Sequence, residues 1–234
     1  MNQPNSTDDV AVVIGATGGI GNALLRRLQG EGEFGTVIGL SRASTPPLDL
    51  GDEASIAASA DFVSRQGKLR LVLVATGQLH RAGIQPEKSI RELNAAAMAD
   101  MFAVNTLGPA LVLKHFLPLL ARDGRAVLAA LSARVGSIGD NQLGGWYSYR
   151  ASKAALNQML HTAAVELRRS HRHAICVALH PGTVNTALSA PFSKAALEVQ
   201  DPDLAAERLL NVIAGLTPED SGRFFDHRGE PVLW

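Results

Sequence analysis

Short apolar runs punctuate the chain at Val10–Ile14, Thr36–Leu40, Leu48–Leu50, Leu69–Ala75, Ala126–Leu131, Ala174–Leu179 and Arg223–Phe225. Runs this short, apolar without alternation, predict strands buried on both faces, as in a parallel sheet. Between them apolar residues recur at helical spacing. Ile20, Leu24, Leu25 and Leu28 form one such set, Asp52–Gln66 a weaker one, and Met98–Leu120 a long one. Leu156, Met159, Leu160, Ala163, Ala164 and Leu167 form the next, and Leu204–Ile213 the last. Strand and helix in alternation predict an α/β fold: one doubly wound domain over residues 1–234, with a mostly parallel central sheet of about seven strands.

Local signals refine this layout. Ser89-x-x-Glu92 reads as a capping box that opens a helix. Gly108-Pro109 interrupts the Met98–Leu120 stretch; proline has no N–H for the carbonyl four residues back, which frees the Asn105 C=O to hold a water. The polar–apolar mixture from Ala187 to Gln200 reads as a flap over the site.

Composition narrows the function classes. A chain of 234 residues that is 46% hydrophobic can build a sizeable core. Its 22 basic and 22 acidic side chains cancel, with no run of like charge, which argues against nucleic acid or an anionic membrane as partner. Cys176, the one cysteine, lies in an apolar run, reads as a small buried hydrophobe and has no partner for an internal disulfide. The polar start, Met1–Asp9, is unlike a signal peptide, and no apolar run approaches the ~20 residues that cross a bilayer. A cytoplasmic protein is the expectation. The 7 histidines form no His-Glu-x-x-His pattern, so no metal is expected.

Two constellations carry chemistry. Val10–Ile14 breaks into Gly15-Ala16-Thr17-Gly18-Gly19-Ile20-Gly21 before a helix. A helix start offers unpaired N–H groups and a positive dipole end, and glycines let a pyrophosphate approach. This points to a dinucleotide on Gly15, Thr17, Gly18, Gly19, Ile20 and Gly21. The second predicted strand ends in Ser41-Arg42, with Asp49 and Leu50 some residues on. A carboxylate at such a strand end suits the ribose 2′-OH of NAD, whereas arginine suits a 2′-phosphate, so NADP (NADPH) is favoured over NAD. Tyr149 and Lys153, four apart on a helix, form the other constellation: an ammonium one turn away favours phenolate and draws a phenol down from its usual value near 10.

Gly15-x-x-x-Gly19-x-Gly21, Asn105, a serine ending the run at 126–131, Tyr149-x-x-x-Lys153 and Pro181-Gly182 occur in this order along essentially the whole chain. In this the chain resembles the short-chain dehydrogenase/reductase family. Ser132–Ser137, Gly144–Arg150 and His180–Thr183 are similar to its sniffer-like and C-factor-like carbonyl reductases. The resemblance implies a Rossmann-type domain that reduces a ketone or aldehyde, or oxidises the alcohol. It assigns Tyr149 as general acid, Lys153 to the tyrosine pKa and the nicotinamide ribose, and Asn105 to a water that links Lys153 to solvent. A serine, Ser132 or Ser137, would bond the substrate oxygen. Ala75, Thr76 and Gly77 would touch the cofactor, and Pro181, Gly182, Thr183, Val184 and Thr186 would border the nicotinamide. A homodimer or homotetramer is implied, packed through the alanine-rich faces of the Tyr149 helix and of 95–120.

Three departures from the family pattern stand out. Val74-Ala75-Thr76-Gly77 replaces an Asn-Ala-Gly-like segment, Ala133 stands at the second of two serine positions, and the connection after the second strand is short. They leave a rival reading: a dinucleotide-binding sensor or signalling protein with little turnover.

Overall fold

The computed structural model describes residues 8–80, 85–189 and 199–234. Its elements begin β1 (Asp9–Ile14), α1 (Gly19–Glu31), β2 (Thr36–Leu40), α2 (Glu53–Ser64), β3 (Lys68–Val74), α3 (Ala95–Phe102) and α4 (Gly108–Phe116). They continue β4 (Ala126–Leu131), α5 (Tyr147–Leu167), β5 (Ala174–His180), β6 (Thr183–Val184), β7 (Val199–Gln200), α6 (Pro202–Gly215) and β8 (Phe224–Asp226). Six strands join in the order β2-β1-β3-β4-β5-β8, with every neighbouring pair parallel. β6 and β7 pair separately.

The apolar runs are apolar because both faces of the sheet are covered. Val10, Val12 and Ile14 enter one core with Ile56, Phe116 and Leu156, from α2, α4 and α5. Ala11 and Val13 enter the other with Leu24, Leu28, Leu209 and Ile213, from α1 and α6. Side chains on a strand point alternately to its two sides, so both parities must be apolar here. Cys176 is fully buried in the first core, and its thiol approaches the Leu160 carbonyl at 3.8 Å.

Register sets the height of the site. Ile14 pairs with Leu40 and with Val74, Val74 with Ala130, and Ala130 with Ala178. Gly15, Ser41, Ala75 and Ser132 therefore lie within two residues of one row at the carboxyl edge. The strand order reverses between β1 and β3, the topological point at which open α/β sheets bind ligands.

Several expectations are corrected. Leu48–Leu50 is not a strand, which accounts for six strands rather than seven in the main sheet. The Leu48 N–H bonds back to Ser41 O at 2.8 Å, and the Asp49 N–H goes to Ser55 Oγ at 2.9 Å. The segment is apolar because Leu48 is buried in the core beside α2. Ser89 and Glu92 bound only a short 3-10 turn: Ser89 Oγ accepts from the Arg91 N–H, while Glu92 accepts from the Lys88 N–H. The helix itself starts at Ala95, where Asn94 Oδ1 accepts from the Ala97 N–H.

The break at Gly108-Pro109 takes the form of a wide turn over Ala103–Leu107, closed by Gly108 N–H to Ala103 O, with Pro109 just inside α4. A π-type turn absorbs the donor that proline lacks without ending the helix. Ala95–Leu119 is thus a 25-residue helical stretch, long and apolar enough by length and composition to cross a bilayer, which overturns the reading that no run approaches that length. Its most apolar window is 39% buried in the fold, and Met101, Val112, Leu113 and Phe116 are buried. Of the expected flap, 190–198 lies outside the described residues; Val199–Gln200 at its end pairs with Thr183–Val184.

Candidate active site

The bend after β1 admits nothing larger than glycine at two places. A Cβ on Gly21 would lie 2.1 Å from Gly15 O, and one on Gly15, where φ is +88°, would lie 2.7 Å from Ala75 O. Gly18 precedes α1 without a side-chain cap, and the first turn of α1 has no acidic residue, so its N–H groups and dipole are left for an outside anion. Beside the bend lies a cleft of about 630 Å³ lined by Gly15, Thr17, Gly18, Ser41, Arg42, Asp49, Leu50, Ala75, Thr76 and Gly77. The buried Thr76 hydroxyl has no hydrogen-bond partner among the described residues. Uncapped helix N–H groups, a glycine cradle and an orphaned hydroxyl fit a dinucleotide phosphate.

Other predicted residues stand around this cleft without lining it. Gly19 faces Thr186, whose Cγ2 would lie 2.6 Å from a Cβ there, so the bend and the segment after β5 touch. Ile20 packs against the core under α1. Pro181 O accepts from Gln200 Nε2 at 3.0 Å, a Cβ on Gly182 would meet that same nitrogen at 2.3 Å, and Thr183 and Val184 form β6. The cleft is also lined by Ala187 and Leu188, from the start of the expected flap, and by Leu48, Gln78, Leu79 and His80, which sequence reasoning did not assign to the site. Only their nearness to residues already singled out could have drawn attention to them.

Tyr149 and Lys153 are both buried on the inward face of α5. Lys153 Nζ donates to Leu131 O at 2.9 Å, and a Cβ on Gly77 would lie 3.4 Å from that nitrogen and 3.6 Å from Asn105 Oδ1. The amine, Asn105 and the exit of β3 therefore meet at one point. Tyr149 packs with Leu79 and Met101 and against Ala133, Val135, Trp146 and Leu188, in an apolar pocket with the Trp146 ring edge-on at 6.2 Å. Burial sets both ionisations: it pushes the Tyr149 phenol above its ordinary value and lowers the Lys153 ammonium to about 8. The expectation that Lys153 draws the phenol down is thus not met, because desolvation dominates.

The Asn105 side chain does more than its sequence position suggested. Oδ1 accepts from Gln78 N–H at 2.7 Å, while Nδ2 donates to Gln78 O at 2.8 Å and to Ser152 Oγ at 3.1 Å. Ser152 Oγ in turn donates to Tyr149 O at 2.8 Å. This amide ties the exit of β3 to α5.

Both candidate serines hydrogen-bond within the protein. Ser132 Oγ donates to Asn157 Oδ1 at 2.6 Å and is committed to α5, while Ala133 is the residue that packs beside Tyr149. Ser137 is buried and its hydroxyl accepts from Asp140 N–H at 3.0 Å. His180, at the end of β5, is held neutral by burial, which lowers it to about 4, and its Nδ1 has no hydrogen-bond partner among the described residues.

The Lys153 shift has a measurable sign. Its folded pKa, about 8, lies below the ordinary 10.5, so between these values the unfolded chain holds a proton that the folded chain has released. Without ligand, stability relative to a Lys153→Met variant should rise as pH goes from 8 towards 10.5 and reach its minimum below 8. Denaturant titrations of both proteins across that range check this; a flat difference refutes it.

Comparison with known proteins agrees with this geometry. The short chain dehydrogenase family profile matches residues 9–196. The chain is 39% identical to the C-signal protein of Myxococcus xanthus over 146 residues, 62% of this chain and 84% of that one. It is 32% identical to 1-hydroxy-2-glutathionyl-2-methyl-3-butene dehydrogenase of Rhodococcus sp. (strain AD45) over 233 residues, 95% of this chain and 98% of that one. The solved structure of NADPH-bound carbonyl reductase from chicken fatty liver superposes with a TM-score of 0.79 at 28% identity, covering 97% of this chain and 99% of that one. The chain belongs to the short-chain dehydrogenase family, as an oxidoreductase of that fold.

Proposed function

We propose that the protein is an NADPH-dependent reductase of ketones or aldehydes, able to run in reverse as an alcohol dehydrogenase, with Tyr149 as the acid. The observation that carries this reading is a buried phenol and a buried amine one helical turn apart, with the amine beside Gly77 at the edge of the dinucleotide cleft and the phenol packed on Leu79 and Leu188, which also line it. The NADPH-bound chicken reductase and the Rhodococcus dehydrogenase support it.

A bound nicotinamide supplies or takes the hydride. Gly15, Thr17, Gly18, Gly19, Ile20 and Gly21 would hold the pyrophosphate, Ala75, Thr76 and Gly77 would touch the cofactor, and Pro181, Gly182, Thr183, Val184 and Thr186 would border the nicotinamide. Tyr149, kept protonated by burial at neutral pH, gives its proton to the carbonyl oxygen. Lys153, mostly charged below about pH 8, then faces the phenolate that is left, and in a dry site that attraction is stronger than in water. Asn105 keeps α5 and the exit of β3 at a fixed distance. Ser132 holds Asn157, so polarisation of the substrate oxygen rests mainly on Tyr149.

A second reading is favoured by that committed serine and by the C-signal likeness: a dinucleotide-binding signalling protein with little turnover. NADPH consumption with nitrobenzaldehyde, acetophenone and cyclohexanone separates the two. Binding without consumption supports the sensor and sinks the reductase.

Tyr149→Phe should cut turnover by about a hundredfold or more, the usual weight of a general acid, with NADPH affinity nearly unchanged. Steady-state rates and a fluorescence titration check this, and retained turnover refutes the acid. Arg42 is exposed in the cleft and makes no ion pair among the described residues, which suits a 2′-phosphate, with Ser41, Asp49 and Leu50 around the adenosine. Arg42→Ser should raise the KM for NADPH about tenfold, the loss of a charge-assisted bond, and leave NADH little affected. Equal effects on both cofactors would place the phosphate elsewhere. A groove of about 480 Å³ between α4 and α5, lined by Leu113, Leu117, Met159 and Ala163, supports pairing of two copies across these helices as a homodimer or within a homotetramer. A monomeric mass by light scattering would rule this out.

A further inference from the structure

We propose that Glu87 is a positioning residue for the acid, holding the first turn of α5 from outside the helix. This rests on the reading of Tyr149 as proton donor. A helix start ordinarily receives a side-chain acceptor from its own N-cap residue, directed at the N–H two or three positions on. In α5 that residue is Trp146, which is left-handed at φ 53° and ψ 41° and provides no side-chain cap. Gly144 and Gly145 before it also have positive φ, 64° and 67°. The chain therefore enters α5 through successive left-handed residues, a conformation that a side chain such as tryptophan's disfavours. Such a path persists only when its neighbours hold it.

Glu87 supplies the missing acceptor. It is 7% exposed and comes from the segment between β3 and α3. Its Oε2 accepts from Ser148 N–H at 3.2 Å, and its Oε1 accepts from the Ser148 hydroxyl. Its own backbone carbonyl accepts from Trp146 N–H at 2.5 Å. A carboxylate here also faces the positive end of the 21-residue α5. From the opposite side Arg150 donates to Gly145 O at 3.0 Å, and to Val135 O and Gly144 O at 3.2 Å each. Tyr149 is the residue between these two clamps. Side chains in a first helical turn lean back towards the N-terminus, so the place of the phenol follows from where that turn is pinned.

The test uses the full chain with NADPH and nitrobenzaldehyde. Glu87→Ala should lower kcat about tenfold to a hundredfold, the usual penalty for ångström-scale misplacement of a reacting group, with KM and NADPH affinity within about twofold. Glu87→Gln, whose amide can still serve the Ser148 N–H and hydroxyl, should return kcat to within about threefold of the parent. A second readout does not depend on turnover. The chain has 2 Trp, so a Trp234→Phe background leaves Trp146 as the sole reporter. Acrylamide quenching of Trp146 should rise with Glu87→Ala and not with Glu87→Gln.

Unchanged kcat and quenching in Glu87→Ala overturn the proposal. So does a joint loss of kcat, NADPH affinity and thermal stability that glutamine fails to restore, which marks Glu87 as a general structural prop. A parent chain without turnover sinks the reductase reading instead, and the quenching series then decides by itself whether Glu87 pins α5.

Discussion

The parallel register of the central strands is the constraint on which the site depends. Ile14, Leu40, Val74 and Ala130 stand level, so the chain leaves each strand at nearly the same height. A slip of one residue in β3 would exchange its two faces and send Thr76 and Gly77 to opposite sides. It would also part Gly77 from Lys153. Burial on both faces prevents such a slip, because either face would then receive side chains shaped for the other core. Lys153 can reach the Leu131 carbonyl because β4 ends at that level.

On this frame the chemistry comes from dryness more than from charge. Burial raises the Tyr149 phenol and lowers the Lys153 ammonium, so each group is pressed towards its neutral form. At neutral pH the phenol keeps its proton while most of the amine remains charged.

Much of this was legible in the sequence. The strand runs, the glycine bend and the Tyr149–Lys153 spacing depend on local rules, and Gly15, Thr17 and Arg42, singled out by such rules, line one cleft together with Thr76, which the family resemblance named. What failed depended on partners far along the chain. Leu48–Leu50 looks like a strand because Leu48 is buried, but its backbone bonds return to Ser41 and Ser55. The phenol pKa was misjudged because spacing reveals a neighbouring charge and says nothing of desolvation. The Asn105 side chain and Glu87 gave no local signal, since each acts on a backbone segment that only the tertiary fold brings near.

Cys176 has a practical consequence. It is fully buried within β5, and burial pushes its thiol up to about 12, so almost no thiolate forms at neutral pH and alkylating reagents have no route to it. With no other cysteine in the chain, a single one introduced on an outer helix face would be the sole reactive handle. Dyes or spin labels could then be attached at chosen positions with the natural residue left in place.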